Sequence, residues 1–280
     1  ETAAHRPHTR LPQVEQAIRY AMADKEKTVR VAGLDLMEKM NIPKEVMANL
    51  LADVIATKTM EEKQAAVLTL GKLPLENSNK IFSDLLDKMA GGKLGPEIYL
   101  ELGEAIDSTR SPQLAARYKE IGKKLSPDEL MASYASCLEG GDPKRGRRIF
   151  FQNQNSQCMK CHSYDDKGGN AGPRPNGVAN RISREQMLQA LISPSARLAP
   201  GFGMVTLELK DGKKLSGILQ EENKNGIVIK AGLEPASTIP NNQIVKKTYS
   251  PSSMPDMKAI LSRKEIRDVV SFLATLKEDS

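Results

Sequence analysis

The chain has no tryptophan, three cysteines and three histidines among its 280 residues. Three cysteines are too few for the disulfide framework of a small secreted domain. No apolar run approaches the roughly 18 residues that a transmembrane helix needs, so we expect no membrane span. Aromatic residues make up 4% of the chain and its basic residues are scattered. This pattern argues against a nucleic-acid partner, because nucleic-acid sites combine clustered positive charge with aromatic side chains.

The most informative stretch is Cys158-Met159-Lys160-Cys161-His162. A Cys-x-x-Cys-His run is the attachment signature of a c-type haem. Two thiols three positions apart share one helical turn and can form thioethers with the two vinyl groups of one haem. The histidine after the second thiol then lies beneath the iron. The sequence predicts one covalently bound haem c, held by Cys158, Cys161 and His162, with His162 as an iron ligand.

Two other uses of this cysteine pair are less consistent with the sequence. A thioredoxin-like dithiol needs a strand before it and a helix after it, whereas residues 151–157 are polar and rich in Asn and Gln. A zinc site needs a second pair of ligands, and the chain supplies none. The third cysteine, Cys137, has apolar helical neighbours, and we expect it to be a small buried residue.

The sixth iron ligand is predicted to be a methionine. His162 is the only histidine in the second half of the chain, so a bis-histidine haem would require His5 or His8 to reach across. A thioether favours ferrous iron and raises the reduction potential. Met254 is the best candidate, because it lies in a proline-containing loop just before the last helix. The alternatives are Met257, Met204 and an open or water-bound iron.

Two further residues are candidate haem contacts. We expect the Pro173 carbonyl to accept the proton on the far nitrogen of His162, since metal-bound histidines usually need their tautomer fixed in this way. Arg181, which precedes a short predicted helix, is a candidate partner for a haem propionate. A surface arginine without that role is an equally good interpretation.

The predicted fold class is mainly α. Residues 1–10 are polar and are predicted to be a disordered leader. Residues 11–139 follow a helical pattern. Within it, short segments beginning near residues 31, 65 and 99 resemble one another weakly, with a period of about 32 to 34 residues. This period indicates a HEAT-like α-solenoid. After Gly140-Gly141, residues 140–280 form the haem domain. Within it, residues 203–249 alternate in polarity, with turns at Asp211-Gly212 and Asn225-Gly226, and predict an antiparallel sheet insertion.

Charge is unevenly distributed. From Cys137 onward there are 22 Lys/Arg and 15 Asp/Glu, a net charge of +7, whereas the first 136 residues carry 19 and 20, a net charge of −1. We interpret the excess as a positive rim that attracts the acidic docking surface of a redox partner. The alternative is that these basic residues simply face solvent and bind no partner.

From about Leu125 onward the chain resembles the haem-binding cytochrome c domain of large multidomain proteins in Planctomycetes and Verrucomicrobia-type bacteria. The resemblance rests on the haem motif and on several short segments: Gly140-Gly141-Asp142-Pro143, Gly146, Ile149-Phe150, Gly168-Gly169, Gly172-Pro173, Ala199-Pro200-Gly201-Phe202, Asp211-Gly212, Gly217-Ile218, Met254-Pro255, Leu261-Ser262 and Arg267-Asp268. Arg174-Pro175 departs from the Asp/Asn-Leu usual in that family.

The resemblance implies a class I-like fold, in which the last helix, here Ser262 to Leu276, crosses the first helix closely at Gly146. It also implies that helical repeats precede the haem domain and that a β-propeller resembling sugar or sorbosone dehydrogenases lies further upstream. The chain begins at Glu1 with no visible signal peptide, so we expect a processed or excised piece of a longer protein.

These observations predict a monohaem cytochrome domain for one-electron transfer, not an enzyme in itself. It would accept electrons from an associated or fused periplasmic dehydrogenase, because covalent haem attachment implies export. One alternative is a haem enzyme or sensor with an open sixth site, either peroxidase-like or gas-binding. Another is a helical-repeat module for protein interaction, in which the haem is secondary.

Overall fold

The computed structural model describes residues 11–26, 28–30, 32, 33, 37 and 42–277. The predicted leader, with His5 and His8, lies outside these residues. The chain is mainly helical, as predicted, and carries one five-stranded and one two-stranded antiparallel sheet. Its contacts divide it into two units, Glu1–Ser136 and Cys137–Ser280. The boundary predicted at Gly140-Gly141 lies a few residues further along the chain.

The first unit is built from helices, several of which are separated by proline or glycine residues. The described helices are α1 (Leu11–Ala23), α2 (Lys44–Thr57), α3 (Met60–Leu70), α4 (Leu75–Ala90), α5 (Tyr99–Thr109), α6 (Pro112–Lys123) and α7 (Glu129–Tyr134). Helix α3 packs on α2 and α5, and α4 packs on α6, around one apolar core. The repeat segments near residues 65 and 99 fall in α3 and α5, whereas the segment near residue 31 is only partly within the described residues.

A largely buried ion pair joins Arg30 and Glu62 in this unit. Glu62, which is 1% exposed, accepts a hydrogen bond of 2.6 Å from Arg30 Nε. Its other oxygen accepts from the hydroxyl and the N–H of Thr59, the residue before α3. These bonds form a capping box at the start of α3. They also hold the pKa of Glu62 down to about 2, with the Arg30 hydrogen bond as the largest cause.

The second unit is organised around a close crossing of its first and last long helices. These are α8 (Pro143–Gln152) and α11 (Arg263–Leu273), separated along the chain by α9 (Val178–Arg181) and α10 (Arg184–Ile192). A Cβ on Gly146 would lie 1.9 Å from the carbonyl oxygen of Asp268. Only glycine allows this approach, which confirms the predicted crossing. The capping box between Ser262 and Glu265 starts α11.

Strands β1 (Ser163–Tyr164) and β2 (Lys167–Gly168) form a short hairpin. The larger sheet has the order β6-β5-β4-β3-β7, and its strands are β3 (Met204–Leu209), β4 (Lys214–Glu222), β5 (Gly226–Lys230), β6 (Ser237–Pro240) and β7 (Ile244–Tyr249). It packs around its own apolar cluster. The predicted sheet insertion is therefore confirmed, although Gly226 begins β5 and the turn before it covers residues 223–225.

Candidate functional site

A single tight turn brings the two thiols and the imidazole together. Cys158–Lys160 is one turn of 3₁₀-helix, entered through Gln157, whose backbone is left-handed with φ 45°. The N–H groups of Cys161 and His162 both donate to the Cys158 carbonyl, at 3.2 and 2.9 Å. The spacing of the motif therefore produces the one-turn arrangement expected from the sequence.

What precedes the motif is a helix rather than a strand. Helix α8 ends at Gln152, and the Asn153 side chain then accepts from the N–H groups of Asn155 and Ser156 at 2.9 and 3.0 Å. This Asx turn leads the chain directly into Cys158. A hairpin follows the motif. A thioredoxin-like site has the opposite order, strand and then helix, so the local architecture does not match that alternative.

The two motif thiols differ in their surroundings. Cys158 is half-buried, and burial raises the pKa of its thiol, while a hydrogen bond to Ser156 Oγ at 3.6 Å partly opposes this. Cys161 is exposed, and neither sulfur is in a disulfide. Both thiols are therefore available for a covalent bond. Cys137 is fully buried, as predicted.

The imidazole of His162 is held in one tautomer. Its Nδ1 lies 2.7 Å from the carbonyl oxygen of Pro173. Because a carbonyl can only accept, Nδ1 carries a proton, and in the neutral imidazole Nε2 therefore keeps its lone pair. This is the hydrogen bond predicted from the sequence. In this tautomer Nε2 is unprotonated, as a nitrogen that ligates iron must be.

Glycines wrap the loop closely around the motif. A Cβ on Gly172 would lie 2.7 Å from Cε1 of His162, and the Gly172 N–H donates to the Cys161 carbonyl at 2.8 Å. A Cβ on Gly169 would lie 1.9 Å from the Lys160 carbonyl oxygen. The loop therefore packs directly on one face of the imidazole, and no residue larger than glycine fits there.

Aromatic rings line another side of the histidine. The ring centroids of Phe150 and His162 are 6.3 Å apart, and Phe150 also contacts Phe272 of α11 at 5.7 Å. Phe151 meets Phe150 and Tyr164 edge-on, each at 5.3 Å. The helix crossing is thus connected to the motif through an apolar aromatic cluster that sequence periodicity did not reveal.

The hairpin β1–β2 anchors the loop that carries Pro173. Asp165 and Asp166 both have positive φ, 48° and 60°, and form its turn. Asp165 accepts from the Asn176 amide at 2.8 Å, and Asp166 pairs with Arg174 at 3.1 Å. Arg174, which differs from the residue usual in the family that the sequence resembles, therefore has a local partner.

Arg181 also holds the loop that carries Pro173, through hydrogen bonds to two of its later residues. Its guanidinium donates to the carbonyl oxygens of Asn176 at 2.6 Å and Arg174 at 2.7 Å. These bonds give the residue a positioning role for the Pro173 loop. Its contact with a propionate stays a prediction.

The three methionine candidates occupy different environments. Met257 is 2% exposed in a 3₁₀ turn (Met257–Ala259) and belongs to the packed interior. Met204 is 49% exposed at the start of β3. Met254 is half-buried in an irregular loop, where its N–H donates to Ser252 Oγ at 3.1 Å and the Ser252 N–H donates to Ser195 Oγ at 3.0 Å. Of the three, Met254 has the least regular backbone and is neither packed in the core nor on a strand.

The part of the chain that the structure describes contains no group of three or more His, Cys, Asp or Glu side chains placed to hold a metal ion. Haem iron takes four ligands from the porphyrin, so a haem needs no such group. No helix among the described residues is long and apolar enough to cross a membrane.

Comparison with models of known protein families gives no match to this chain. A search of curated proteins gives none either.

The residues present fit a covalently attached haem. Two thiols stand on one turn, the histidine can present Nε2, and Gly172 packs the loop directly against the ring. Cys158, Cys161 and His162 would hold the group, with Pro173 fixing the histidine. These residues come together in the structure, and Arg181 joins them through the loop of residues 174–176. The hydrogen bonds described for the Met254 loop lead to Ser195 rather than to the motif.

Proposed function

We propose that the unit Cys137–Ser280 is a monohaem c-type cytochrome domain for one-electron transfer. The observation that carries this proposal is the His162–Pro173 hydrogen bond next to two available thiols on the same turn. A metal-ligating histidine usually donates its other ring N–H to a carbonyl or carboxylate in this way. Gly172 supports the proposal, because it allows the loop to pack against the imidazole, and Gly169 allows the same loop to approach the Lys160 carbonyl.

When bound, the haem supplies an iron that cycles between its ferric and ferrous states. The sulfurs of Cys158 and Cys161 would tether the porphyrin, and His162 would ligate the iron through Nε2. Pro173 would keep the proton on Nδ1 and raise the basicity of the ligating nitrogen. Met254 would supply a second side-chain ligand from its loop. With two side chains on the iron, small molecules would be kept from it, and electron transfer would be the remaining chemistry.

We further propose that this domain belongs to the planctomycete and verrucomicrobial cytochrome group, with a class I-like fold. The crossing of α8 and α11 at Gly146 supports this. The helical unit before it would be a HEAT-like scaffold, in agreement with the contacts of α3 with α5 and of α4 with α6. The electron donor would be an associated or fused dehydrogenase in the periplasm or another exported location.

The visible spectrum of the chain, produced in a host that assembles c-type cytochromes, tests this function. We expect a six-coordinate low-spin haem. High-spin iron that binds carbon monoxide or cyanide readily would favour the haem enzyme or sensor instead. Replacing Cys158 and Cys161 by serine should abolish covalent attachment. A Cys137→Ser variant, which leaves the motif intact, is the matched control and should keep the haem. A colourless wild-type chain would leave the helical interaction module as the better account.

A further inference from the structure

The outer face of α8 carries positive charge that the fold does not neutralise. Residues 143–164 contain five Lys or Arg and no Asp or Glu. Arg145 pairs with Asp268 at 3.1 Å and reaches Asp142 at 3.6 Å. Lys144, Arg147 and Arg148 are exposed, and among the described residues the structure shows no ion pair for them. We call these three residues the α8 basic face.

Helix stability does not explain this arrangement. Asp142 caps α8 by accepting from the N–H groups of Lys144 and Arg145, and the first turn itself has no acidic residue. The N-terminal end of a helix bears partial positive charge, and this effect falls off within the first turn. Lys144 lies in that turn, so its positive charge is expected to cost stability rather than add to it. Arg147 and Arg148 lie beyond that turn, so the helix end does not explain them either. A negatively charged binding partner would account for their presence.

The α8 basic face lies next to the candidate haem site. The guanidinium carbon of Arg147 stands 4.7 Å from the centre of the Phe151 ring. Phe151 contacts Phe150, and Phe150 contacts His162. Two phenyl rings therefore separate this surface from the histidine. A shallow depression of about 170 Å³ adjoins it and is lined in part by Gln152, Asn153, Gln154, Gln157 and Lys160.

We propose that the α8 basic face is the docking surface for an acidic protein partner. That this partner is a redox protein rests on the proposed function, whereas the docking itself does not. Side-chain amides around the depression can hydrogen-bond the peptide groups of a protein. A nucleic acid fits less well, because bases need a free aromatic face for stacking. Arg147 covers the Phe151 ring, and Tyr164 meets its edge.

Docking can be measured with two labelled polyanions, poly-L-glutamate and single-stranded oligothymidylate of equal charge. Binding to the full holo chain is followed by fluorescence anisotropy over a range of ionic strength. We expect poly-L-glutamate to bind at low salt and to be released as salt rises. The combined variant Lys144→Glu, Arg147→Glu and Arg148→Glu should weaken this binding at least about tenfold.

A matched variant controls for net charge. Lys210, Lys224 and Lys230 are exposed on the larger sheet or its turns, and their replacement by Glu changes the charge equally. This control should weaken binding by less than about twofold. A milder variant, Lys144→Gln with Arg148→Gln, should give an intermediate loss and guards against misfolding of the triple variant.

Three results would overturn the proposal: no binding of poly-L-glutamate by the wild type, equal losses in the two triple variants, or equal binding of oligothymidylate with the same dependence on α8. The haem spectrum is recorded on the same samples. A chain that lacks haem but keeps the α8-dependent binding would refute the proposed function alone. A normal haem spectrum with α8-independent binding would refute the docking surface alone.

Discussion

Gly172 lies against His162 so closely that a Cβ at this position would stand 2.7 Å from Cε1 of the imidazole. The next residue, Pro173, accepts the Nδ1 proton of the same ring. Two consecutive residues of one loop therefore set both the place and the tautomer of the histidine. The loop is itself held by Arg181 and by the hairpin β1–β2.

Replacing Gly172 by Ala should disturb this site directly. The added methyl group must displace either the imidazole or the loop, and overpacking of this kind costs about 1–3 kcal/mol. We expect a lower free energy of unfolding in urea and a shifted or weakened haem absorption. Gly122→Ala is the control, because nothing lies within 4 Å of a Cβ there. It lies in α6 and should be neutral or stabilise by up to about 1 kcal/mol. Equal behaviour of the two variants would contradict the packing described for Gly172.

Met254→Ala should convert the spectrum from six-coordinate to high-spin or water-ligated iron. The reason is that the variant removes the thioether proposed as sixth ligand. The measurement is the near-infrared methionine–iron charge-transfer band of the ferric protein, which should disappear. Met204→Ala is the matched control, since Met204 is exposed on β3. If the band survives in Met254→Ala and is lost in Met204→Ala, the ligand has been assigned to the wrong residue.

Acid should destabilise the helical unit through Glu62. Its pKa is about 2 in the folded chain against an ordinary value of 4.5, chiefly because Arg30 donates to it. The unfolded chain therefore binds the proton first as pH falls. The stabilisation, about 2–3 kcal/mol, is complete above the ordinary pKa and is lost as pH falls from about 4.5 toward 2.

Urea unfolding of the wild type and of Glu62→Gln at a series of acidic pH values measures this contribution. The difference in unfolding free energy between them should shrink as pH falls through that range. Glu120→Gln is the comparison, because Glu120 is an exposed residue that pairs with Lys123 at the surface. Its variant should show little pH-dependent difference. A Glu62 difference that stays constant with pH would contradict the buried ion pair.

Local signals in the sequence predicted much of the second unit. The one-turn motif, the His162–Pro173 bond and the Gly146 crossing each depend on residues whose spacing or size permits few structures. The larger sheet was predictable because its strands alternate in polarity and turn residues separate several of them.

Other features have no comparable local signal. Strands β1 and β2 are two residues long and too short for periodicity, and Asp165-Asp166 shows no glycine that would mark the positive φ of its turn. The contact of Phe151 with Tyr164 depends on how two separate segments meet, and the bonds from Arg181 to Arg174 and Asn176 depend on how an irregular loop folds. Such contacts depend on tertiary structure rather than on the pattern of any one segment.

The most direct measurement is the mass of the full chain under denaturing conditions, after expression in a host competent for c-type assembly. Thioethers survive denaturation, whereas a haem bound only through its iron does not. The account predicts a mass increased by that of one haem, and loss of this increase when Cys158 and Cys161 are both replaced by serine. A wild-type chain with the mass of the polypeptide alone would contradict the central claim.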